Sequence, residues 1–442
     1  MIRISILILS ISTACRVVSD ERVSATQPLT STLPQRTPCP AENVARVWND
    51  PDPATPSACR ERRLRTAKAL GNGLLVLGAG ADPDDVRYYS DDDFHWLCGV
   101  SSPDAILVLV AVGGELVEER LYLHPSNPRH ELWNGPRLAP GESTIRATGI
   151  ADLRELELFP EEIRQLAQEN QRIYCSEPTG QPVIEQIGRT YEPVSPFLEA
   201  LQVVKDAAEI QALRTAVDIT QAALVDAFRI VLPGAHEFTV EATIESGFRR
   251  RGAETTAFPS ICGSGPNSCI LHYRANQRRL EAGDMLVMDV GAKYKRYCAD
   301  VTRTIPVSAR FSPRQREIYT LVYEASQRAA RCLRPGASLR DAHQAAQAYL
   351  KGHGMDAYFP HGIGHGLGLE VHDAPRNVEL LRAGMVVTIE PGIYIAEENL
   401  GCRIEDDYLI TENGAELLSG SLPSHPDELE DFLRALRTPR HP

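Results

Sequence analysis

This chain of 442 residues has no apolar run long enough to cross a bilayer. It also lacks any Lys/Arg run dense enough to reverse the sign of its field: Asp and Glu number 59 against 46 Lys and Arg, a net charge of -13. Such a surface repels phosphate backbones, so no nucleic acid is expected as a partner. The ten cysteines contain no CxxC pair and no zinc-ribbon spacing, which removes dithiol redox centres and structural zinc from consideration. Cys262 and Cys269 are the one close pair that export would expose to oxidation, and buried thiols are the plainer reading of the set. There is no GxSxG elbow, no cysteine in a nucleophile context and no GxGxxG after a strand. Serine hydrolases, cysteine hydrolases and dinucleotide binders therefore have no support.

The composition, 43% hydrophobic and 24% charged, is that of an ordinary globular chain long enough for two cores. Residues 1–18 are expected to be a signal peptide: Arg3, an apolar run Ile4–Ile11 too short to span a membrane, then Ser12-Thr13-Ala14-Cys15. That ending is a loose form of a lipoprotein cleavage site. Export to the periplasm, with lipidation at Cys15 as one form of it, is the expectation, and a cytoplasmic address is the alternative. Residues 19–56, rich in Pro, Ser and Thr, are expected to form a disordered leader. The basic stretches Arg60–Lys68 and Arg249–Arg251 are expected to be solvated helix faces.

From 57 to 196 helical and strand-like runs alternate, which predicts a smaller α/β domain with strands at 73–77, 105–110 and 116–123. Phe197–Leu232 then forms one long amphipathic segment stopped by Pro233-Gly234. Residues 197–435 are predicted to be α+β, with further helices at 313–333 and 338–352, and this second domain holds the notable polar residues.

In Met285–Thr304 two strand-like runs flank a polar middle. A hairpin with Tyr294-Lys295 at its tip would set Asp289 opposite Asp300, their β-carbons about 5 Å apart. The turn has no Asn-Gly signal, so this register is inferred from pattern alone. A second pair of runs, around Met385–Glu390 and Cys402–Glu405, would set Glu390 opposite Glu405, with Pro391-Gly392 bending the first strand. Between them, Pro360–Gly368 carries four glycines around His361 and His365, which suits backbone packed closely about a site. Like charges facing each other destabilise a sheet, so a cation belongs between them. Two divalent ions match the charge of four carboxylates, and oxygen-rich ligation with an imidazole favours Mn(2+), with Zn(2+) or Co(2+) as substitutes. Ions about 3.5–4 Å apart can hold a bridging hydroxide as nucleophile.

These segments resemble the pita-bread metallopeptidases. Asp289-Val290-Gly291 with Tyr297–Thr304 is similar to the family's paired-aspartate signature, and His361–Asp373 resembles that of its proline-specific branch. Ile389–Gly392 and Gly401–Asp406 complete the set. The resemblance implies an α+β pita-bread (creatinase/aminopeptidase-like) catalytic domain with metal ligands Asp289, Asp300, His365, Glu390 and Glu405. It implies that Glu390 shuttles the proton, that His272, His361 and His372 contact the substrate, and that Arg403 pairs with an acid at the cleft. Asp85–Val100 and Pro103–Ala105 resemble the non-catalytic domain of aminopeptidase P and prolidase, which caps the cleft and contributes to homo-oligomers. The implied activity is a binuclear-metal Xaa-Pro aminopeptidase acting on peptides with proline in second position. An Xaa-Pro dipeptidase is the runner-up and a non-catalytic binding protein the third reading. A methionine aminopeptidase lacks such a first domain, and a metal-free creatinase lacks the ligand set.

Overall fold

The computed structural model describes residues 50–82, 87–176, 181–373 and 380–437. The expected signal peptide, Cys15 and the leader through residue 49 lie outside them. The last leader residues are held: Asp50 accepts a hydrogen bond from Thr215 Oγ1 at 2.5 Å, and the Asp50 carbonyl accepts one from Lys295 Nζ at 2.7 Å.

Thr55 caps the helix Pro56–Leu70, accepting from the Ala58 amide, and Pro56 at its first position lacks the N–H that would otherwise go unpaired. The basic stretch on this helix departs from expectation. Arg62 and Arg63 are 1% and 0% exposed. Arg62 reaches Asp206 Oδ2 at 3.0 Å and Glu209 Oε1 at 3.3 Å, while Arg63 reaches Glu119 Oε2 at 2.8 Å. Paired carboxylates make burial of a guanidinium tolerable, and sequence spacing does not reveal partners so distant in the chain.

A six-stranded sheet follows, in the order Asp152–Glu155, Glu115–Leu123, Ile106–Val112, Gly73–Gly78, Ile173–Cys175, Glu192–Pro193. Gly73–Gly78 is antiparallel to Ile106–Val112 and parallel to Ile173–Cys175. Both faces are covered: Leu74, Val76 and Val108 pack beneath the helix Phe159–Glu169, and Leu75, Leu77 and Leu109 join a cluster that reaches Leu213, Tyr297, Leu367 and Val386. The α/β region is thus packed directly onto the later part of the chain.

The long amphipathic segment is two helices, Val194–Gln202 and Ala207–Ile230. Asp206 starts the second with a reciprocal capping box to Glu209, a signal that outweighed the continuous apolar periodicity. Against Ala207–Ile230 pack Glu237–Arg250 and a three-stranded antiparallel sheet, Val301–Pro306, Met285–Val290, Ile261–Ser264. A second such sheet, Val386–Ile389, Asp406–Thr411, Gly414–Leu417, and the ribbon Gly392–Ile395 with Leu400–Arg403 complete the walls. The isolated bridge between Thr302 and Glu405 joins the two acid-bearing hairpins. Helices Pro313–Ala330, Leu339–Gly352 and Pro426–Arg437 lie behind them. The eight described cysteines are all free thiols, Cys262 and Cys269 among them.

Candidate metal centre

The first hairpin does not have the register its pattern suggested. Asp289 faces Thr302, and Tyr294 faces Tyr297, so the tip is Lys295-Arg296 and Asp300 is displaced by two residues from the position opposite Asp289. A shift of two keeps both aspartates on one face; a shift of one would have sent Asp300 to the other. Lys295 and Arg296 both take left-handed backbone, φ 46° and 75°, the two-residue turn that matches strand twist. Partners outside the hairpin hold that costly conformation: Arg296 Nε lies 3.0 Å from Asp92 Oδ1, and its guanidinium also donates to the Ser90 carbonyl. Lys293 Nζ reaches the same Asp92 at 3.1 Å. Between the two ladders the Ala299 amide still donates across to the Ala292 carbonyl at 3.0 Å, while the Asp300 amide turns away to donate to Asp407 Oδ2 at 3.2 Å.

The second hairpin has the expected register. Ile389 faces Asp406 and Gly392 faces Arg403. Glu390 and Glu405 therefore come opposite each other where Pro391, which has no amide to donate, interrupts the ladder. The glycine-rich segment runs alongside. A β-carbon on Gly364 would lie 2.0 Å from the Thr388 carbonyl oxygen, so this close approach requires glycine. Thr388 also receives the His365 amide at its Oγ1.

The donor atoms of Asp300, His365 and Glu405 lie within 4.8 Å of one another. His365 Nδ1 sits 2.9 Å from the Gly366 carbonyl, which makes Nδ1 the donor and leaves the Nε2 lone pair for the cluster. Nε2 is 3.5 Å from Asp300 Oδ2 and 3.7 Å from Glu390 Oε1. Asp289 completes the group through Arg403, whose Nη2 is 2.6 Å from Asp289 Oδ2, the acid pairing expected of that arginine. Thr302 Oγ1 donates to Glu405 Oε2 at 2.7 Å.

This is an unbalanced accumulation of charge. Asp289, Asp300 and Glu405 are 8%, 5% and 2% exposed. Burial, then the charges of Asp289, Asp407 and Glu390, hold the Asp300 carboxyl well above the ordinary carboxylate range. Burial, then the charges of Asp300, Glu390 and Asp289, do so for Glu405 against the opposing pull of Arg403. Burial pushes Glu390 up to about 7, with His365 and Arg403 pulling it down. Asp289 Oδ1 and Asp300 Oδ1 are buried with no hydrogen-bond donor. Orphaned anionic oxygens beside an imidazole lone pair are the donor set of a divalent-cation site, and these residues fit one.

Of the remaining expected site residues, His361 lies near the acids, its Nδ1 3.8 Å from Glu390 Oε2. Both its ring nitrogens are already engaged, Nδ1 with the Gly362 carbonyl at 2.8 Å and Nε2 with the Tyr394 hydroxyl at 3.0 Å. Contact with a substrate oxygen would need one of these bonds exchanged. Burial lowers the His361 pKa to about 4, so the ring is neutral. His372 is exposed and edge-on to His365, ring centres 4.4 Å apart. His272 is exposed on the segment whose Leu271 carbonyl lies 3.5 Å from Arg403 Nη2.

Tyr394 and Asp407 were not anticipated. Tyr394 links Arg403 Nη1, at 2.7 Å, to His361. Asp407 is fully buried, and burial first, then Asp406, raises its carboxyl well above the usual range. Neither has a spacing signal that sets it apart from a strand residue. Beside the acids opens a cleft of about 610 Å³, lined by Ala257, Lys293, Cys298, Val371, His365 and His372.

The chain is similar to known metallopeptidases. Residues 211–412 match Metallopeptidase family M24, and residues 59–174 match Aminopeptidase P, N-terminal domain. An Xaa-Pro aminopeptidase of Haemophilus influenzae is 31% identical over 416 residues, covering 84% of this chain and 96% of the relative. An Xaa-Pro dipeptidase of Pyrococcus furiosus is 39% identical over 235 residues, covering 52% of this chain and 67% of the relative. The solved structure of aminopeptidase P from E. coli with the inhibitor Pro-Leu superimposes with a TM-score of 0.80 at 28% identity, covering 87% of this chain and 99% of that one.

Proposed function

This chain belongs to metallopeptidase family M24, with the N-terminal domain of aminopeptidase P ahead of the peptidase region, and we propose that it is a metal-dependent Xaa-Pro aminopeptidase. It hydrolyses the bond between an N-terminal residue and a following proline. One observation carries the reading: Asp300, His365 and Glu405, with Glu390 and Asp289 adjoining, meet beside a cleft that His365 lines, in a chain that matches such an enzyme over 84% of its length. The dipeptidase reading is second, since that relative matches over 235 residues against 416 for the aminopeptidase.

Asp289, Asp300, His365, Glu390 and Glu405 would hold two divalent cations, Mn(2+) by preference and Zn(2+) or Co(2+) as substitutes. When bound, the cations neutralise the acids, polarise the scissile carbonyl and lower the pKa of water. Glu390 takes the proton of the attacking water at a carboxylate oxygen and returns it to the proline nitrogen as that nitrogen leaves. His361 and His372 border the path of the carbonyl oxygen, with Tyr394 and Arg403 orienting His361 from behind. Arg403 also fixes Asp289.

The same reading includes a homo-oligomer and export. Leu132 and Trp133, each 81% exposed on the helix Pro128–Asn134, offer apolar surface for contact between copies. No described helix is long and apolar enough to cross a membrane, and the proposed signal peptide directs the chain to the periplasm.

The test is hydrolysis of an Xaa-Pro dipeptide and a longer Xaa-Pro-Xaa peptide, with added manganese and after chelation. Metal-dependent release of the first residue from the longer peptide is expected. Cleavage of the dipeptide alone would shift the reading to a dipeptidase. Failure with manganese, zinc and cobalt alike would leave a binding protein.

A further inference from the structure

Glu237 is fully buried at the first position of the helix Glu237–Arg250 and takes no part in the cluster just described. Its Oε1 accepts from the Ser264 amide and hydroxyl, both at 2.7 Å, and from Asn267 Nδ2 at 3.2 Å. Its Oε2 accepts from the Tyr273 hydroxyl and the Arg278 amide, both at 2.8 Å. Each of these donors is neutral. A buried carboxylate is tolerated with such partners only when its lone pairs are filled, and the amide dipoles of the helix start add to that.

The donors belong to one segment. Ser264 ends the strand Ile261–Ser264, and Arg278 lies fourteen residues on, so a single carboxylate closes a loop at both ends. The loop is fixed again in its middle, where Ser268 Oγ accepts the Gly401 amide at 2.7 Å. Its exposed residue of interest, His272, has pinned neighbours on either side: the Leu271 carbonyl toward Arg403, and the Tyr273 hydroxyl on Glu237. The His272 side chain is held by neither.

We propose that Glu237 is a positioning residue that presets the 264–278 loop so that His272 is delivered to the substrate without reorganisation. This rests on the aminopeptidase reading and on His272 as a substrate contact. Preorganisation matters because a histidine on an unanchored loop would lose rotational freedom at each turnover. Glutamine cannot replace the carboxylate. The Ser264 and Arg278 amides point at opposite oxygens, so either orientation of a carboxamide sets an N–H against a backbone N–H.

The experiment is a double-mutant cycle in the full chain, read as kcat/KM on an Xaa-Pro-Xaa peptide with manganese. His272→Ala is expected to lower it about a hundredfold, and Glu237→Gln about thirtyfold, in the range of partners that orient an active residue. If Glu237 acts through His272, the double variant is no slower than His272→Ala. Amide exchange at Ser264 and Arg278 should also quicken in Glu237→Gln while bound manganese is unchanged. Should Glu237→Gln fail to fold, Tyr273→Phe, which removes one donor and keeps the ring, takes its place in the same cycle with a loss of several-fold. Additive losses, or full activity in Glu237→Gln, overturn the proposal. Full activity in His272→Ala overturns it together with that histidine's role, yet leaves the aminopeptidase reading standing. An inactive wild type fails the aminopeptidase reading and with it this inference.

Discussion

The two hairpins that carry the acids look alike in sequence and are held in different ways. In the second, the register of 386–395 against 400–409 is uninterrupted through Pro391, and the left-handed residue near its tip is Asn399, φ 52°, a side chain suited to that region. In the first, Lys295 and Arg296 occupy left-handed backbone with no local reason to do so. Asp92, Ser90 and Asp50 supply the reason from the beginning of the chain. A hairpin whose turn chemistry is local can be read from its own residues. One whose turn is set by distant partners cannot, and there pattern alone put Asp300 two residues out of place.

The comparison is broken most severely at the acids themselves. Asp289→Asn in the first hairpin and Glu405→Gln in the second should each lose bound metal and activity together, by at least about a hundredfold, with the fold largely kept. Metal content by elemental analysis beside kcat/KM checks this, and full activity in either variant removes that residue from the ligand set. Next in size, Arg296→Ala removes the first tip's contacts with Asp92 and Ser90 and should lower stability in urea by about 2 kcal/mol. Asn399→Ala leaves the second tip only a local strain, about 1 kcal/mol. Equal losses in these two variants would mean that the first hairpin needs no help from the N-terminal region.

A pH-dependent effect lies beside the support of the first tip. Burial, then Asp91, pushes the Asp93 carboxyl up to about 7, with the Gln202 amide 2.7 Å away. The folded chain then holds this proton more tightly than the unfolded chain, whose aspartate ionises near the ordinary value of about 4. The sign follows: stability contributed by the protonated form is present below pH 4 and is lost as pH rises through 7. Asp93→Asn should flatten the melting-temperature profile between those limits while leaving the second hairpin untouched. An unchanged profile would show that Asp93 is ionised throughout.

Much of the candidate site was legible before the fold. Four acids and a glycine-flanked histidine are conspicuous because carboxylates inside apolar strand runs oppose every local preference. The second hairpin's register followed from alternation and a proline bend. Tyr394 and Asp407 were missed because a tyrosine or an aspartate in a strand looks ordinary until its neighbours in space are known. The break at Val203–Asp206 was missed because apolar periodicity runs across it, although the Asp206-to-Glu209 capping box was there to be read. Arg62 and Arg63 were read as solvated because nothing in Arg60–Lys68 points to Asp206, Glu209 or Glu119.

The chain's own pattern pointed to the residues of the candidate site and to the order of its elements, because ligand chemistry and strand alternation are properties of neighbouring residues. Three-dimensional packing settled the register of the first hairpin, the burial of the two arginines and the closing of the 264–278 loop on Glu237. Each of these depends on a charged or polar group being satisfied from far along the chain. Such pairings stabilise only once the backbone has brought the partners within hydrogen-bond reach, so no local window contains them.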